Sequence, residues 1–208
     1  MRAIFFVAMC AWAQVETPRL GMMLDRTDAR RPVFGVSASV ALGEPEQTGV
    51  ASMACSNTRC AASVNPAVIA FDGDAVYVYS NGQLTRDQSP VDLNVTGRIL
   101  SMRVASGSLE FAVRRDQGFW IVRNGDAVVA AIPHATGAVM LLDHAALFVA
   151  GRETILRRDD GSELRFNIHA RSFVAMSDGY VQIRADASDY ALRIERGREK
   201  VFLLPEPQ

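Results

Sequence analysis

Two histidines at matching positions are the residues of this sequence that come closest to a chemical site. His134 lies in Ile132-Pro133-His134-Ala135, and His169 lies in Ile168-His169-Ala170. An imidazole can act near neutral pH as a general base or as a metal ligand. We predict that His134 and His169 bind a ligand and that neither is catalytic. No nucleophile and no third metal ligand stands beside them at a recognisable spacing.

Four aspartates stand next to Gly or His in short polar stretches: Asp72, Asp74, Asp143 and Asp178. Carboxylates placed around a ring could hold a cation. Aspartate is also one of the residues that tight turns favour. We interpret these four as turn residues, and we expect no metal and no cofactor.

Cys55 and Cys60 enclose four polar or turn-forming residues, Ser56-Asn57-Thr58-Arg59. Residues that face each other across such a hairpin have Cβ atoms about 4.5 to 5.5 Å apart, which is near disulfide range. A redox pair usually has two residues between its cysteines, and a zinc site would need two further ligands. The sequence therefore predicts a local disulfide in an oxidising compartment.

A unit of strand, tight turn, strand and turn recurs at a period of about 35 residues, which is typical of propellers and solenoids. Asn-Gly and Asp-Gly pairs mark many of the joints, because they accept the positive φ angles of tight hairpins. The second strands of successive units read Ala75 to Tyr79, Leu109 to Val113, Ala146 to Val149 and Tyr180 to Ile183. No segment has a sustained helical pattern. We predict an all-β, β-propeller-like array of about five four-stranded antiparallel blades with an irregular first blade.

The repeat also positions the two histidines. Both follow the fourth strands of consecutive units, in loops that lead to the innermost strands, so both should lie on one face of the ring. Such loops often form binding sites.

The N-terminal part fits the repeat poorly. We expect an irregular segment over residues 14–32, one strand at Val33 to Val40, and two further strands at Val50 to Ala54 and Cys60 to Val64. Residues 33–208 would form a single domain, with the fourth strand of the first regular unit at Val91 to Val95. An open blade array or a β-sandwich is the alternative, because no strand is evident that closes the ring.

The pattern resembles secreted β-propeller repeat proteins over most of the chain. The resemblance rests on generic blade architecture, and none of the motifs of the WD, kelch, YWTD or sialidase repeats is present. It implies a ring with a narrow axial channel and with binding surfaces at its faces, and it assigns no catalytic residue.

The first residues predict export. Arg2 precedes an apolar run that ends in Ala11-Trp12-Ala13, which is typical of a signal peptide over residues 1–13. About ten apolar residues are too few for a helix that crosses a membrane. We expect a periplasmic or extracellular monomer that begins at Gln14 and has no membrane span. The 22 basic and 23 acidic residues are interspersed, which disfavours nucleic acid as a partner.

Two functions fit these features. The favoured one is an exported, non-enzymatic binding or scaffold module for a protein, a peptide or a surface glycan. The alternative is a propeller hydrolase or lyase with a site at the channel mouth that includes His134 or His169. Convergence of His, Asp and Glu side chains within about 5 Å at the channel mouth would favour the enzyme.

Overall fold

A computed structural model describes residues 19–36, 39–177 and 179–206, which form strands and turns without a helix. The strands are β1 (Arg19–Leu24), β2 (Arg30–Val36), β3 (Ser39–Leu42), β4 (Ser52–Cys55), β5 (Cys60–Ser63), β6 (Val68–Asp72), β7 (Ala75–Ser80), β8 (Gln83–Arg86), β9 (Ser89–Val91), β10 (Arg98–Ala105), β11 (Ser108–Arg115), β12 (Gly118–Arg123), β13 (Val128–Ala131), β14 (Val139–Leu142), β15 (Ala145–Ala150), β16 (Glu153–Arg158), β17 (Glu163–Phe166), β18 (Ala170–Ser177), β19 (Tyr180–Ala185), β20 (Asp189–Arg193) and β21 (Lys200–Leu203).

These strands form a five-bladed β-propeller, which confirms the predicted fold class. Blades 2 to 5 are four-stranded antiparallel sheets in chain order, β6–β9, β10–β13, β14–β17 and β18–β21. Blade 1 is irregular and consists of the three-stranded sheet β1–β3 and the hairpin β4–β5. The first strands of blades 2 to 5 contact their neighbours in order, β1 contacts β18, and β4 contacts both β18 and β6.

The tight turns form at the turn residues that the sequence predicted. Asn81 and Gly82, with φ angles of 52° and 80°, form the two-residue connection between β7 and β8. Positive φ at both central residues is the geometry of the turn that best matches the twist of a hairpin. Burial alternates at the start of β7, where Ala75 and Tyr77 are buried because they face the neighbouring blade.

Apolar side chains fill the spaces between neighbouring blades. Phe111 and Val122 of blade 3 pack with Tyr77 and Leu84 of blade 2. Phe148 of blade 4 forms a similar cluster with Ala112 and Ile121 of blade 3, and Leu147 of blade 4 packs with Val181 of blade 5. Burial of such side chains between blades is the main driving force for assembling the ring.

Blades 5 and 1 meet through packing and side-chain hydrogen bonds. Met22 and Met53 form one apolar cluster with Val174, and Met23 forms another with Met176. The amide of buried Gln182 bonds both main-chain groups of Leu24, accepting from N–H at 3.0 Å and donating to the carbonyl oxygen at 2.8 Å. Blade 1 therefore closes the ring against the last blade, without strand exchange among the described residues.

The N-terminal expectations need two corrections. Part of the segment predicted to be irregular, residues 14–32, forms β1 and the start of β2. The predicted single strand from Val33 to Val40 is divided between β2 and β3, which pair with Val36 opposite Ser39. A two-residue connection preserves the period-two alternation of its strands, so the hydrophobic pattern cannot reveal a hairpin there.

The fourth strand of blade 2 is β9 at Ser89–Val91, earlier than the predicted Val91 to Val95. Asp87 and Gln88 adopt positive φ angles of 48° and 70° and reverse the chain directly after β8. The following residues are bound by the next blade instead, because Asn94 N–H donates to Asn124 Oδ1 at 3.0 Å.

The predicted signal peptide over residues 1–13, the expected start at Gln14, and Asp178 lie outside the described residues. Within the described part of the chain, no helix is long and apolar enough to cross a membrane.

Candidate functional site

The two histidines predicted to bind a ligand lie in corresponding interblade connections. Exposed His134 stands between β13 and β14 with a φ of 63°, and exposed His169 stands between β17 and β18. The β15–β16 turn links the two connections. The Gly151 carbonyl oxygen lies 2.9 Å from His169 Nδ1, and Gly151 N–H donates at 3.0 Å to Thr136 Oγ1 in the His134 loop.

No reactive constellation surrounds these histidines within the described residues, where no three His, Cys, Asp or Glu side chains group in a way that could hold a metal. The imidazole of His169 bonds a main-chain carbonyl, which fixes the ring without making it a base for a nucleophile. The ligand-binding role of His134 and His169 remains a prediction.

A cleft opens at the other end of the propeller. Strand β18 begins directly after His169 and ends at Ser177, which lines the cleft, so the strand separates the two places by about 25 Å at ~3.3 Å per residue. The cleft has a volume of about 680 Å³, within the range of ligand pockets. It lies where blade 1 meets blade 5, between the start of β1, the β4–β5 turn and the β18–β19 turn. We call it the blade-1 cleft.

Among the described residues of the lining, the charged ones are three arginines and one glutamate: Arg19, Arg30, Arg59 and Glu46. Arg19 Nη2 lies 3.4 Å from Glu46 Oε1, and Arg30 Nη2 lies 3.2 Å from Glu46 Oε2. The Glu46 carboxylate therefore pairs with two guanidinium groups. The described residues of the lining carry two net positive charges in a chain whose formal net charge is −1.

Arg59 has no carboxylate partner within the described chain. Its guanidinium carbon lies 5.6 Å from the centre of the Phe71 ring in blade 2. Its Nε and Nη2 atoms are buried and make no hydrogen bond to the described residues. Arg30 Nε is likewise buried without a hydrogen-bond partner. A buried cationic donor without a partner is costly, because it has lost its hydration without compensation.

The β4–β5 turn that carries Arg59 is fixed by the disulfide between Cys55 and Cys60, which confirms the predicted pair. The two residues face each other in the hairpin with Cα atoms 4.0 Å apart. Ser56 N–H donates to the Arg59 carbonyl oxygen at 2.8 Å, and the Ser56 and Thr58 hydroxyl oxygens lie 3.2 Å apart. The chain thus presents two hydroxyl groups and a guanidinium on a short, cross-linked turn.

A separate group of buried polar side chains, around Arg103, is paired and joins blades 3 and 4. Arg103 Nη2 lies 2.9 Å from Glu110 Oε2, and Arg103 Nη1 donates to the Leu142 carbonyl oxygen of the next blade at 2.7 Å. Arg123 Nε donates to the second oxygen of Glu110 at 3.3 Å. This cluster fastens blade 3 to the first turn of blade 4.

Two aspartates at the junction of blades 5 and 1 have shifted pKa values. Burial disfavours ionisation of Asp25, but hydrogen bonds from Arg31, Ala29 and Thr27 outweigh burial and hold the pKa of Asp25 below its ordinary 3.8. Burial raises the pKa of Asp189, and the Gln182 amide, which donates to Asp189 Oδ2 at 2.8 Å, offsets this rise only in part. Both aspartates bond structural partners, which gives them a role in the junction.

Sequence reasoning did not find the blade-1 cleft. Arg19, Arg30 and Arg59 come from three separate elements with no common spacing, and the first two lie in the segment that was predicted to be irregular. The one feature of the sequence that could have indicated this cleft was Arg59, which lies in the short loop between two cysteines.

No family model matches this chain, and no curated protein matches it. Solved structures do match. One is PorZ, a surface component of the type-IX secretion system of Porphyromonas gingivalis, at 12% identity and a TM-score of 0.41 over 86% of this chain and 25% of that one. Another is a streptogramin B lyase, at 12% identity and a TM-score of 0.39 over 94% of this chain and 72% of that one. This chain thus spans about a quarter of the length of PorZ.

Proposed function

We propose that this protein is an exported, non-enzymatic β-propeller that binds a protein, a peptide or a surface glycan. The observation that carries the proposal is the blade-1 cleft, which offers hydrogen-bond donors and net positive charge on a fixed turn. Ligand sites are typically concave and carry a few polar groups that converge on the ligand. Propellers place such sites at the faces of the ring.

The chemistry of the lining favours binding over catalysis. The one acidic side chain among its described residues, Glu46, accepts hydrogen bonds from Arg19 and Arg30, so it is poorly placed to serve as a free general base. The lining hydroxyls of Ser56 and Thr58 lie beside each other with no histidine among the lining residues. A serine or threonine nucleophile needs an adjacent base to be activated.

The disulfide supports export. A bond between Cys55 and Cys60 persists in oxidising compartments, whereas cytosolic thiols are kept reduced. The apolar run that starts after Arg2 supports the same proposal, with a mature chain that begins at Gln14 and acts in the periplasm or outside the cell. N-terminal sequencing of exported protein tests this, and an intact leader on soluble protein would contradict it.

The binding proposal is tested by screening wild-type protein on peptide and glycan arrays and against esterase, lactonase, glycosidase and lyase substrates. We expect a ligand on the arrays and no turnover. Thr58→Trp places a large side chain at the exposed mouth of the cleft and should abolish binding. Its control is His134→Ala/His169→Ala, two exposed residues on the opposite face.

Each outcome of this screen assigns a site. Loss of binding in the Thr58 variant alone assigns the blade-1 cleft. Loss in the double histidine variant alone moves the binding site to the histidine loops, as the sequence predicted. A turnover that is present in wild type and missing from a well-folded double histidine variant would refute the binding-module proposal and support the hydrolase or lyase alternative.

A further inference from the structure

We infer that the ligand of the blade-1 cleft is an acidic oligosaccharide, one whose sugars carry carboxylates, and that Arg59 is the residue that recognises its charge. This inference rests on the proposed binding function and names the ligand class for the same cleft. It is carried by unpaired donors, by a charge imbalance and by the hydroxyl groups of the lining.

The first step is where the unpaired donors lie. Among the described residues, the buried side-chain nitrogen and oxygen atoms without a hydrogen-bond partner are Arg30 Nε, Arg59 Nε and Arg59 Nη2. Both arginines line the blade-1 cleft. Elsewhere buried arginines are satisfied, as Arg103 is by Glu110 and by main-chain carbonyls. Because unpaired buried polar groups are rare in folded proteins, their restriction to one cleft indicates that their partner is not among the described residues, and we assign that place to a ligand.

The second step is the charge of the cleft. Among the described lining residues there are three arginines and one carboxylate, and that carboxylate, Glu46, is already paired with Arg19 and Arg30. Arg59 is left with the face of the Phe71 ring, which attracts a cation but accepts no hydrogen bond from the edge of the guanidinium. A ligand carboxylate would supply the hydrogen-bond acceptor that the Arg59 guanidinium lacks, because the planar guanidinium can donate to both carboxylate oxygens.

The third step is the remaining lining, which favours a sugar over a peptide. Ser56, Thr58, Ser177 and Tyr180 place hydroxyl groups around the cleft. A hydroxyl both donates and accepts, as do the hydroxyls of a sugar ring. Tyr180 is partly exposed and adds an aromatic ring. An acidic oligosaccharide supplies the carboxylate for Arg59 and hydroxyls for these side chains in one molecule.

The experiment is a calorimetric titration of the full mature chain with three probes. They are a tetramer of galacturonic acid, the neutral tetramer of galactose and a tetramer of glutamate. We expect the uronic acid tetramer to bind, to weaken as salt is added, and to bind at least about tenfold more tightly than either control, the scale of one hydrogen bond to a charged group.

Arg59→Met tests the assigned residue, and Arg86→Met is its matched control. Arg86 also lies 5.6 Å from an aromatic ring centre, that of Tyr77, but it is exposed and outside the cleft. We expect Arg59→Met to lose about ten- to a hundredfold in affinity for the uronic acid tetramer and Arg86→Met to lose none. Glu46→Gln removes the competing carboxylate, so it should raise the affinity.

Thermal unfolding separates a ligand-binding arginine from a structural one. Removal of an unpaired buried charge should leave the melting temperature of Arg59→Met equal to or above that of wild type. A fall in melting temperature together with unchanged affinity would overturn the assignment of Arg59.

The probes separate this inference from the proposed function. Equal binding of the neutral tetramer, or tighter binding of the glutamate tetramer, refutes the acidic sugar and leaves the binding-module proposal standing. Binding of none of the three refutes the inference as well. The binding-module proposal itself is tested separately, by the arrays and by the turnover screen.

Discussion

Arg103 and Arg59 both have buried guanidinium nitrogens, but they differ in the groups that surround the charge. Arg103 is satisfied by Glu110 and by the first turn of the next blade, whereas Arg59 has an aromatic face and no acceptor among the described residues. Removing one partner of a buried ion pair leaves an uncompensated charge behind. Removing an arginine without a partner leaves nothing unpaired. The same substitution should therefore have opposite effects at the two positions.

Arg103→Met is predicted to destabilise the fold by about 3 kcal/mol, near the lower end for a broken buried pair, because Arg123 still holds the second oxygen of Glu110. The free energy of unfolding, measured with urea, tests this. Arg165→Gln is the control, since Arg165 is 56% exposed and its ion pairs should contribute less than about 1 kcal/mol. A similar loss in both variants would show that the buried cluster does not fasten the blades.

Asp189 is predicted to make stability fall as the pH rises. Its pKa is raised in the folded state, so the folded chain keeps a proton that the unfolded chain loses. The stability that this proton confers is lost between the ordinary value of 3.8 and the raised pKa. Asp25, whose pKa is lowered, contributes in the opposite sense, with stability present above 3.8 and lost as the pH falls through its folded pKa.

Asp189→Asn keeps an acceptor for the Gln182 amide and removes the titration. We expect the variant to gain stability relative to wild type as the pH is raised from about 4 to about 7. Urea midpoints across that range measure the difference. A difference that stays constant with pH would show that the Asp189 carboxyl does not carry this linkage.

For individual residues, the sequence predicted the disulfide but not the arginines of the blade-1 cleft. The difference lies in how far apart in the chain the interacting residues are. Cys55 and Cys60 are close in the chain, so hairpin geometry alone brings them together. Arg19, Arg30 and Arg59 meet only because blade 1 folds against blade 5, and long-range packing leaves no spacing in the sequence.

At the scale of elements, β1 and β18 approach each other too closely for a side chain. A Cβ on Gly21 would lie 2.4 Å from the Met176 carbonyl oxygen, and Gly21 has a φ of 143°, which residues with a side chain rarely adopt. Glycine at this position is what lets the first strand of blade 1 lie against the first strand of blade 5.

Gly21→Ala should therefore destabilise the protein by roughly 2 to 4 kcal/mol, from backbone strain and from the displaced strand. Gly118→Ala at the start of β12 is the control, because Gly118 has a similar φ of 130° but open space around its Cβ position, so it lacks the close approach. Denaturant unfolding of the two variants measures the difference. Equal stability would mean that β1 shifts at no cost and that the close approach does not matter.

The regular blades were predictable and blade 1 was not. The second strands β7, β11, β15 and β19 all lie where alternation and turn residues placed them. They are bounded by short turns such as Asn81-Gly82, whose chemistry is local. Strand β1 has no such boundary on its N-terminal side within the described residues, and the β2–β3 connection keeps the alternation in phase. Local patterns therefore could not define either element.

At the scale of the whole molecule, the junctions between blades differ in strength. The junction of blades 5 and 1 has no covalent link between adjoining strands, yet it contains two apolar clusters and the Gln182 clamp on Leu24. The junction of blades 1 and 2 is continuous in the chain and has no buried apolar cluster of its own among the described residues. Across it the Ala67 N–H donates to Ser52 Oγ at 2.8 Å, and the Arg59 guanidinium lies beside the Phe71 ring.

The ring should open first at the junction of blades 1 and 2. Local stability follows buried apolar contact, so the amides of β5 and β6 should exchange with deuterium at least about ten times faster than those of β11, whose Phe111 and Val113 are fully buried. Hydrogen exchange followed by mass spectrometry measures this difference. Equal protection of β6 and β11 would mean that the ring opens as one unit. Because Arg59 belongs to this junction, the weakest part of the ring then coincides with one wall of the blade-1 cleft, where a ligand could order it on binding.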